Sequence, residues 1–164
     1  MPVNQTAYLV EVLKDPSTVG IIATLDESGI PHAVPSPFLR LDEKGRLVHL
    51  ELLETSTSHR NLLRCIWFEQ PVSVTLSTPA GRVLVITGRP YKAHVSGPLF
   101  SSYYREVRSL LGDADLAAVW LIEPQQVREE TYKFRKEREE TLHPFHLHLD
   151  RLAVEDNHKR RVTV

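Results

Sequence analysis

Cysteine is nearly absent from this chain of 164 residues: Cys65 stands alone. A lone thiol excludes an intrachain disulfide and any metal centre built on several cysteines, and it fits a reducing compartment. An excess of one charge is also missing, because 20 Lys and Arg meet 21 Asp and Glu to leave a net charge of −1. Generic nucleic-acid binders carry a clear basic excess, so no nucleic-acid partner is expected. No apolar run approaches the roughly 18 residues of a membrane-spanning helix, so no membrane partner is expected either. Met1-Pro2-Val3-Asn4-Gln5-Thr6 has neither the basic nor the apolar stretch of a signal peptide. These absences together point to the cytoplasm. There is no phosphate-binding Walker loop, dinucleotide fingerprint or nucleophile elbow, and no internal repeat or low-complexity tract.

What is present is the composition of a soluble globule, 41% hydrophobic and 25% charged, over a length suited to one domain. The spacing predicts a helix from Asn4 or Thr6 to Lys14, with Leu9, Val10, Val12 and Leu13 on its apolar face and Asp15-Pro16 as its stop. Residues 18–25 are rich in β-branched side chains and run into Asp26-Glu27-Ser28-Gly29, a strand and a hairpin turn. The return strand, 30–41, contains Pro31, Pro35 and Pro37. Proline cannot donate to a ladder, so this strand is expected to be irregular, bulged or at an edge. Asp42-Glu43-Lys44-Gly45 turns it into a third strand at 46–53. The hydroxyls of Thr55-Ser56-Thr57-Ser58 then cap a helix at about 58–66. A fourth strand, 71–77, turns at 78–81 into a fifth that reaches about 95. Gly97-Pro98 opens a helix that Gly112 ends, and 116–122 reads as a sixth strand. After Pro124 the chain changes character. Residues 128–140 carry five basic and five acidic side chains, the pattern of a solvated helix laced with exposed ion pairs.

Turns of four or five residues join the early strands, whereas parallel strands need crossovers of a dozen or more. The expectation is therefore a mainly β, α+β fold. Five or six short antiparallel strands close wholly or partly into a small barrel with two or three flanking helices. One domain spans 1–164, with a charged extension or arm from about 124.

Two segments carry the chemistry. One is Pro31-His32-Ala33-Val34-Pro35-Ser36-Pro37-Phe38-Leu39 on the broken strand. The other is Glu54-Thr55-Ser56-Thr57-Ser58-His59-Arg60-Asn61-Leu62-Leu63-Arg64 at a helix start. Hydroxyls, free amides and Arg60 at a helix N-terminus make an anion site that suits a phosphate monoester. A strand broken by proline leaves backbone groups free to meet the edge of a ring.

In order and spacing these segments resemble the FMN-binding split-barrel superfamily of pyridoxamine 5′-phosphate oxidase-like proteins, with Val72-Ser73-Val74-Thr75-Leu76 and Val83–Gly88 following them. Ser58-His59-Arg60-Asn61-Leu62 is most similar to the branch that includes haem-utilisation-type members. The resemblance covers about Val19 to Gly88. It implies an antiparallel, Greek-key-like split β-barrel with FMN as cofactor and two-electron redox chemistry on a small molecule. It also implies a homodimer with the flavin at the subunit interface. The cofactor-binding positions it implies are Ser36, Pro37, Leu52, Ser58, His59, Arg60, Asn61 and Arg82; it implies no catalytic residue. One position departs from the pattern. Ser58 stands where the oxidases carry lysine and the haem-utilisation-type members histidine, which leaves that phosphate contact to Arg60 or Arg82.

Two alternatives remain open. One is a non-enzymatic haem- or metal-binding protein on the same scaffold, using His143, His146 and His148 as ligands. The other is a flavin-binding module without turnover. The simpler expectation for the histidines is a C-terminal arm in which they face solvent or a partner subunit. Cys65, beside Ile66-Trp67-Phe68, reads as a small buried hydrophobe. Tyr103, Tyr104, Arg105 and Arg108 read as an ordinary amphipathic helix, and Lys159-Arg160-Arg161 as a solvated end.

Overall fold

Two aspartates build the first hairpins. Asp26 Oδ1 accepts the amides of Ser28 and Ile30, each at 2.8 Å, and Gly29 supplies the positive φ of 78° that closes the turn. Asp42 Oδ1 repeats the arrangement with Lys44 and Arg46 at 2.9 Å, while its other oxygen takes Arg46 Nε at 2.7 Å. These turns fold β1 (Val19–Leu25) onto β2 (Pro31–Pro35), and β3 (Arg40–Leu41) onto β4 (Leu47–Glu51).

The computed structural model describes residues 3–144. The chain divides between Arg128 and Glu129 into two compact units. Besides these hairpins, the first unit contains α1 (Val3–Leu13), α2 (Thr57–Trp67), β5 (Val72–Ser77), β6 (Val83–His94), α3 (Gly97–Leu111) and β7 (Ala118–Glu129), whose last residue begins the second unit. All seven strands form one antiparallel sheet in the order β2-β1-β5-β6-β7-β4-β3. Its register sets Ile22 against Val74, Val74 against Ile86 and Val48 against Leu121.

Inward-facing residues of five strands share one core, among them Ile22, Leu47, Val74, Ile86 and the fully buried Trp120. Leu9 and Val12 of α1 and Leu62 and Cys65 of α2 join it. Each such side chain contributes about 1.5–3 kcal/mol on burial. Every residue of β4 is buried, because its second face is covered as well. Val48 and Leu50 pack there with Val119, Leu121 and Val107 of α3. Gly88 permits the close approach of β6 to β7, since a Cβ there would lie 2.7 Å from Ile122 Cγ2.

Two boundaries differ from those expected. The proline-rich return strand is two strands, β2 at the sheet edge and the short β3. Between them residues 36–39 leave the ladder, with Ser36 N–H donating to Gly20 O at 2.8 Å and Leu39 N–H to Ser36 O at 3.3 Å. The last strand runs through Pro124 to Glu129 instead of stopping at 122. The register explains why proline is tolerated. Leu47 pairs with Ile122, β4 begins there, and Pro124 therefore owes no hydrogen bond on that side.

In the second unit the charge run forms α4 (Tyr132–Leu142), none of whose residues is buried. Arg138 Nη2 donates to both oxygens of Glu130 at 3.0 and 2.9 Å, and Lys136 lies 3.7 Å from Glu140. No helix among the described residues is long and apolar enough to cross a membrane. His146, His148 and the basic cluster at 159–161 lie outside the described residues.

Candidate functional site

The N-terminus of α2 is built by Ser56. Its backbone is extended and its Oγ accepts the His59 amide at 2.9 Å, while its carbonyl accepts Arg60 N–H at 3.3 Å. The amides of Thr57 and Ser58 precede the first intrahelical bond and point out of the helix end. Beside them opens a cleft of about 780 Å³ within the first unit. Val34, Pro35 and Pro37 form one wall, and Leu52, Leu53, Ser56, Thr57 and Ser58 form another. Asp113, Ala114 and Asp115, between α3 and β7, also line it, as do His32, His49 and Glu51.

Strand alternation places His49 and Glu51 on the same face of β4 as Leu47, whose side chain belongs to the main core. Both are almost completely buried, at 3% and 7% exposure. Ser36, 2% exposed, sits where the chain leaves β2, and its Oγ lies 2.7 Å from His49 Nδ1. His49 Nε2 is 3.7 Å from Glu51 Oε2, too far for a hydrogen bond. Nε2 has no hydrogen-bond partner among the described residues. Burial would by itself raise the Glu51 carboxyl, but the His49 ring, the Leu53 amide and the Ser56 hydroxyl together hold it below its usual range. The Leu53 amide donates to Glu51 Oε1 at 3.1 Å.

The positions singled out in the sequence separate into two groups. Ser36, Pro37, Leu52 and Ser58 meet at the cleft: Pro37, Leu52 and Ser58 line it, and Ser36 contacts His49 in its wall. Arg60 stands beside it, with Nη2 3.4 Å from the hydroxyl of the lining residue Thr57. The other three engage elsewhere. His59 Nδ1 accepts the Trp120 indole N–H at 3.3 Å, the two rings meeting edge to face. Asn61 is buried, and its Nδ2 donates to Thr24 Oγ1 at 2.9 Å. Arg82 Nε donates to the Tyr8 hydroxyl at 3.0 Å, the guanidinium stacks 3.9 Å above the Tyr8 ring, and Nη1 is 3.7 Å from Glu11. Of the two arginines considered for a phosphate contact, only Arg60 therefore reaches a residue that lines the cleft. No Lys or Arg is among the described residues that line it.

His49 and Glu51 were missed by the motif reading. Their signal is present in Leu47-Val48-His49-Leu50-Glu51: two polar residues two apart on a strand otherwise apolar on both faces. Cys65 is buried, and burial pushes its thiol up against the opposing effect of Arg64, the state of an unreactive thiol. No group of three or more His, Cys, Asp or Glu among the described residues is arranged to hold a metal ion. His143 is described, with Nε2 3.8 Å from a Glu139 oxygen.

No family model and no curated protein matches the chain. Solved structures do. HupZ from Group A Streptococcus superposes with a TM-score of 0.62 at 13% identity, over 77% of this chain and 94% of that one. A candidate pyridoxamine 5′-phosphate oxidase from Listeria innocua gives 0.59 at 16% identity, over 77% and 98%. A NimC/NimA family protein from Clostridium acetobutylicum gives 0.56 at 17%, over 77% and 90%. At such identities the likeness is one of fold. The chain has the split-barrel fold of pyridoxamine 5′-phosphate oxidase-like proteins.

Proposed function

We propose that this protein binds FMN, with the phosphate at the N-terminus of α2 and the ring against the proline-broken edge strand. It acts as a flavin-dependent oxidoreductase on a small molecule. One observation carries the reading: residues from the two segments that bear the resemblance, 31–39 and 54–64, line a single cleft of about 780 Å³. That volume lies within the roughly 300–1,000 Å³ of cofactor pockets.

The residues present fit the cofactor's two ends. Thr57 and Ser58 offer hydroxyls and outward amides at the positive end of the helix dipole, and Arg60 adds a full charge beside Thr57. Val34, Pro35, Pro37, Leu52 and Leu53 offer apolar surface for a planar ring. Asp113, Asp115 and Glu51 all line the cleft and repel a phosphate, so its anionic end is drawn to the outward amides of α2 and to Arg60 rather than to the rest of the cleft. Bound flavin supplies two-electron redox chemistry, and the chain's own side chains bind it, orient it and keep water from it.

A homodimer belongs to the same proposal. Leu53 lines the cleft yet is 65% exposed, and Trp67 and Phe68 at the end of α2 are 81% and 65% exposed. A two-fold partner would cover apolar surface of this kind.

The test is a flavin titration beside the absorption spectrum of the purified protein. Wild type binds FMN, and Arg60→Ala raises Kd about 10- to 100-fold, the equivalent of about 1.5–3 kcal/mol for a charge-assisted hydrogen bond. An unchanged Kd removes Arg60 from the site. A flat wild-type titration, or a Soret band in place of flavin bands, overturns the FMN reading.

A further inference from the structure

We propose that His49, held by Ser36 and lying near the Glu51 carboxylate, presents an Nε2–H donor to the ligand in the cleft, and that the cleft thereby selects a ring bearing an uncharged acceptor atom, a carbonyl oxygen or an unprotonated ring nitrogen. The inference rests on the cofactor reading above and adds a contact and a ligand chemistry to it.

The first support is burial without satisfaction. Ser36, His49 and Glu51 are each more than nine-tenths buried, yet Nε2 has no partner among the described residues. Buried polar atoms of folded proteins are nearly always paired, because an unpaired one forfeits its hydration for nothing. Nε2 itself has almost no exposed surface, but His49 belongs to the cleft wall, so a small shift of that wall on binding would bring the partner from the ligand side.

The second support is the position of the proton. Ser36 Oγ lies 2.7 Å from Nδ1, and Glu51 Oε2 lies 3.7 Å from Nε2. A lone pair on Nε2 would face that carboxylate unfavourably, whereas an N–H would be attracted to it. In the neutral ring the Ser36 hydroxyl therefore donates to Nδ1, and Nε2 carries the hydrogen. In the charged ring Nδ1–H donates to Ser36, and Nε2 still carries a hydrogen. In both forms Nε2 is a donor. Glu51 Oε1 already accepts the Leu53 amide.

The third support concerns the charge of the acceptor. An anionic group at Nε2 would come close to the Glu51 carboxylate, so a phosphate is disfavoured there and a neutral acceptor favoured. This agrees with a phosphate at α2 and a ring near His49, and it discriminates against ring ligands without an acceptor at that place.

The test uses histidine-selective ¹⁵N NMR on the full chain, with FMN as the probe. His49 is assigned in the wild type by through-bond correlation of its ring with its own backbone. The proposal expects free wild type to show the Nε2–H tautomer at His49 and its Nε2 signal to shift on addition of FMN. Kd rises about tenfold in His49→Leu, while His49→Gln, whose amide can still donate, stays within about threefold of wild type. The wild-type spectra decide the matter even if a variant does not fold. An Nδ1–H tautomer overturns the proposal. So does FMN that binds while the His49 signal stays still and His49→Leu keeps the wild-type Kd, and the cofactor reading then survives. If saturating FMN moves no signal anywhere, the cofactor reading fails and takes this proposal with it.

Discussion

Replacing Thr24 by valine removes one oxygen atom from the junction of β1 and α2 and leaves the shape almost unchanged. That oxygen accepts Asn61 Nδ2–H at 2.9 Å, and its own hydrogen points to His32 O at 3.4 Å. Both side chains are buried, so water cannot take over when the bond is lost. The Asn61 amide is then left unsatisfied at a cost of about 1–3 kcal/mol, while the long contact to His32 O contributes little. Valine fills the same volume, so no cavity adds to this figure. With a urea m value of about 2 kcal/mol/M, the unfolding midpoint of Thr24→Val falls by about 0.5–1.5 M at unchanged m. Fluorescence of Trp67 and Trp120 reports the transition. Adding Asn61→Leu removes the orphaned amide, so the double variant loses less than the two single losses combined. The consequence reaches the site, because Asn61 lies one turn from Ser58 on α2 and anchors the helix that carries the cleft-lining hydroxyls. A midpoint within about 0.2 M of wild type, or strict additivity in the double variant, refutes this account of how α2 is held.

Two further outcomes follow from the same geometry. The Glu51 carboxyl is held below its ordinary value of 4.5 in the folded chain, so its contribution to stability is present above that value and lost as pH falls toward the folded one. Wild type should therefore exceed Glu51→Gln in stability most at neutral pH, with the gap narrowing below about pH 4.5; urea midpoints that differ equally at pH 7 and pH 3.5 contradict it. Light scattering at micromolar concentration should give about twice 18.7 kDa, and an FMN-loaded monomer would remove the partner subunit from the proposed site.

Much of the fold was legible because its determinants are local. Asp26 with Gly29 and Asp42 with Gly45 specify their turns within five residues, and those turns force antiparallel pairing. Val72, Val74 and Leu76 alternate toward the core as their spacing predicts. Ser56 to Ser58 mark the start of α2, and Gly112 ends α3 at a φ of 67°. The path of β7 through Pro124 was not legible, because it depends on where β4, more than seventy residues earlier, begins to pair.

The same division runs through the candidate site. Residue type and spacing determined that a hydroxyl-rich helix start and a proline-broken strand existed, since capping and ladder interruption act over a few residues. Only the tertiary structure decided which side chains were available to a ligand. Arg82 turns to Tyr8, His59 to Trp120 and Asn61 to Thr24, partners 74, 61 and 37 residues away. His49 acquired its significance in the same manner: Ser36 comes to one ring nitrogen from thirteen residues away, and the other is left buried without a hydrogen-bond partner among the described residues. Short-range preferences are written in neighbouring residues, whereas the partner of a polar side chain is chosen by packing, which brings together atoms that the chain keeps far apart.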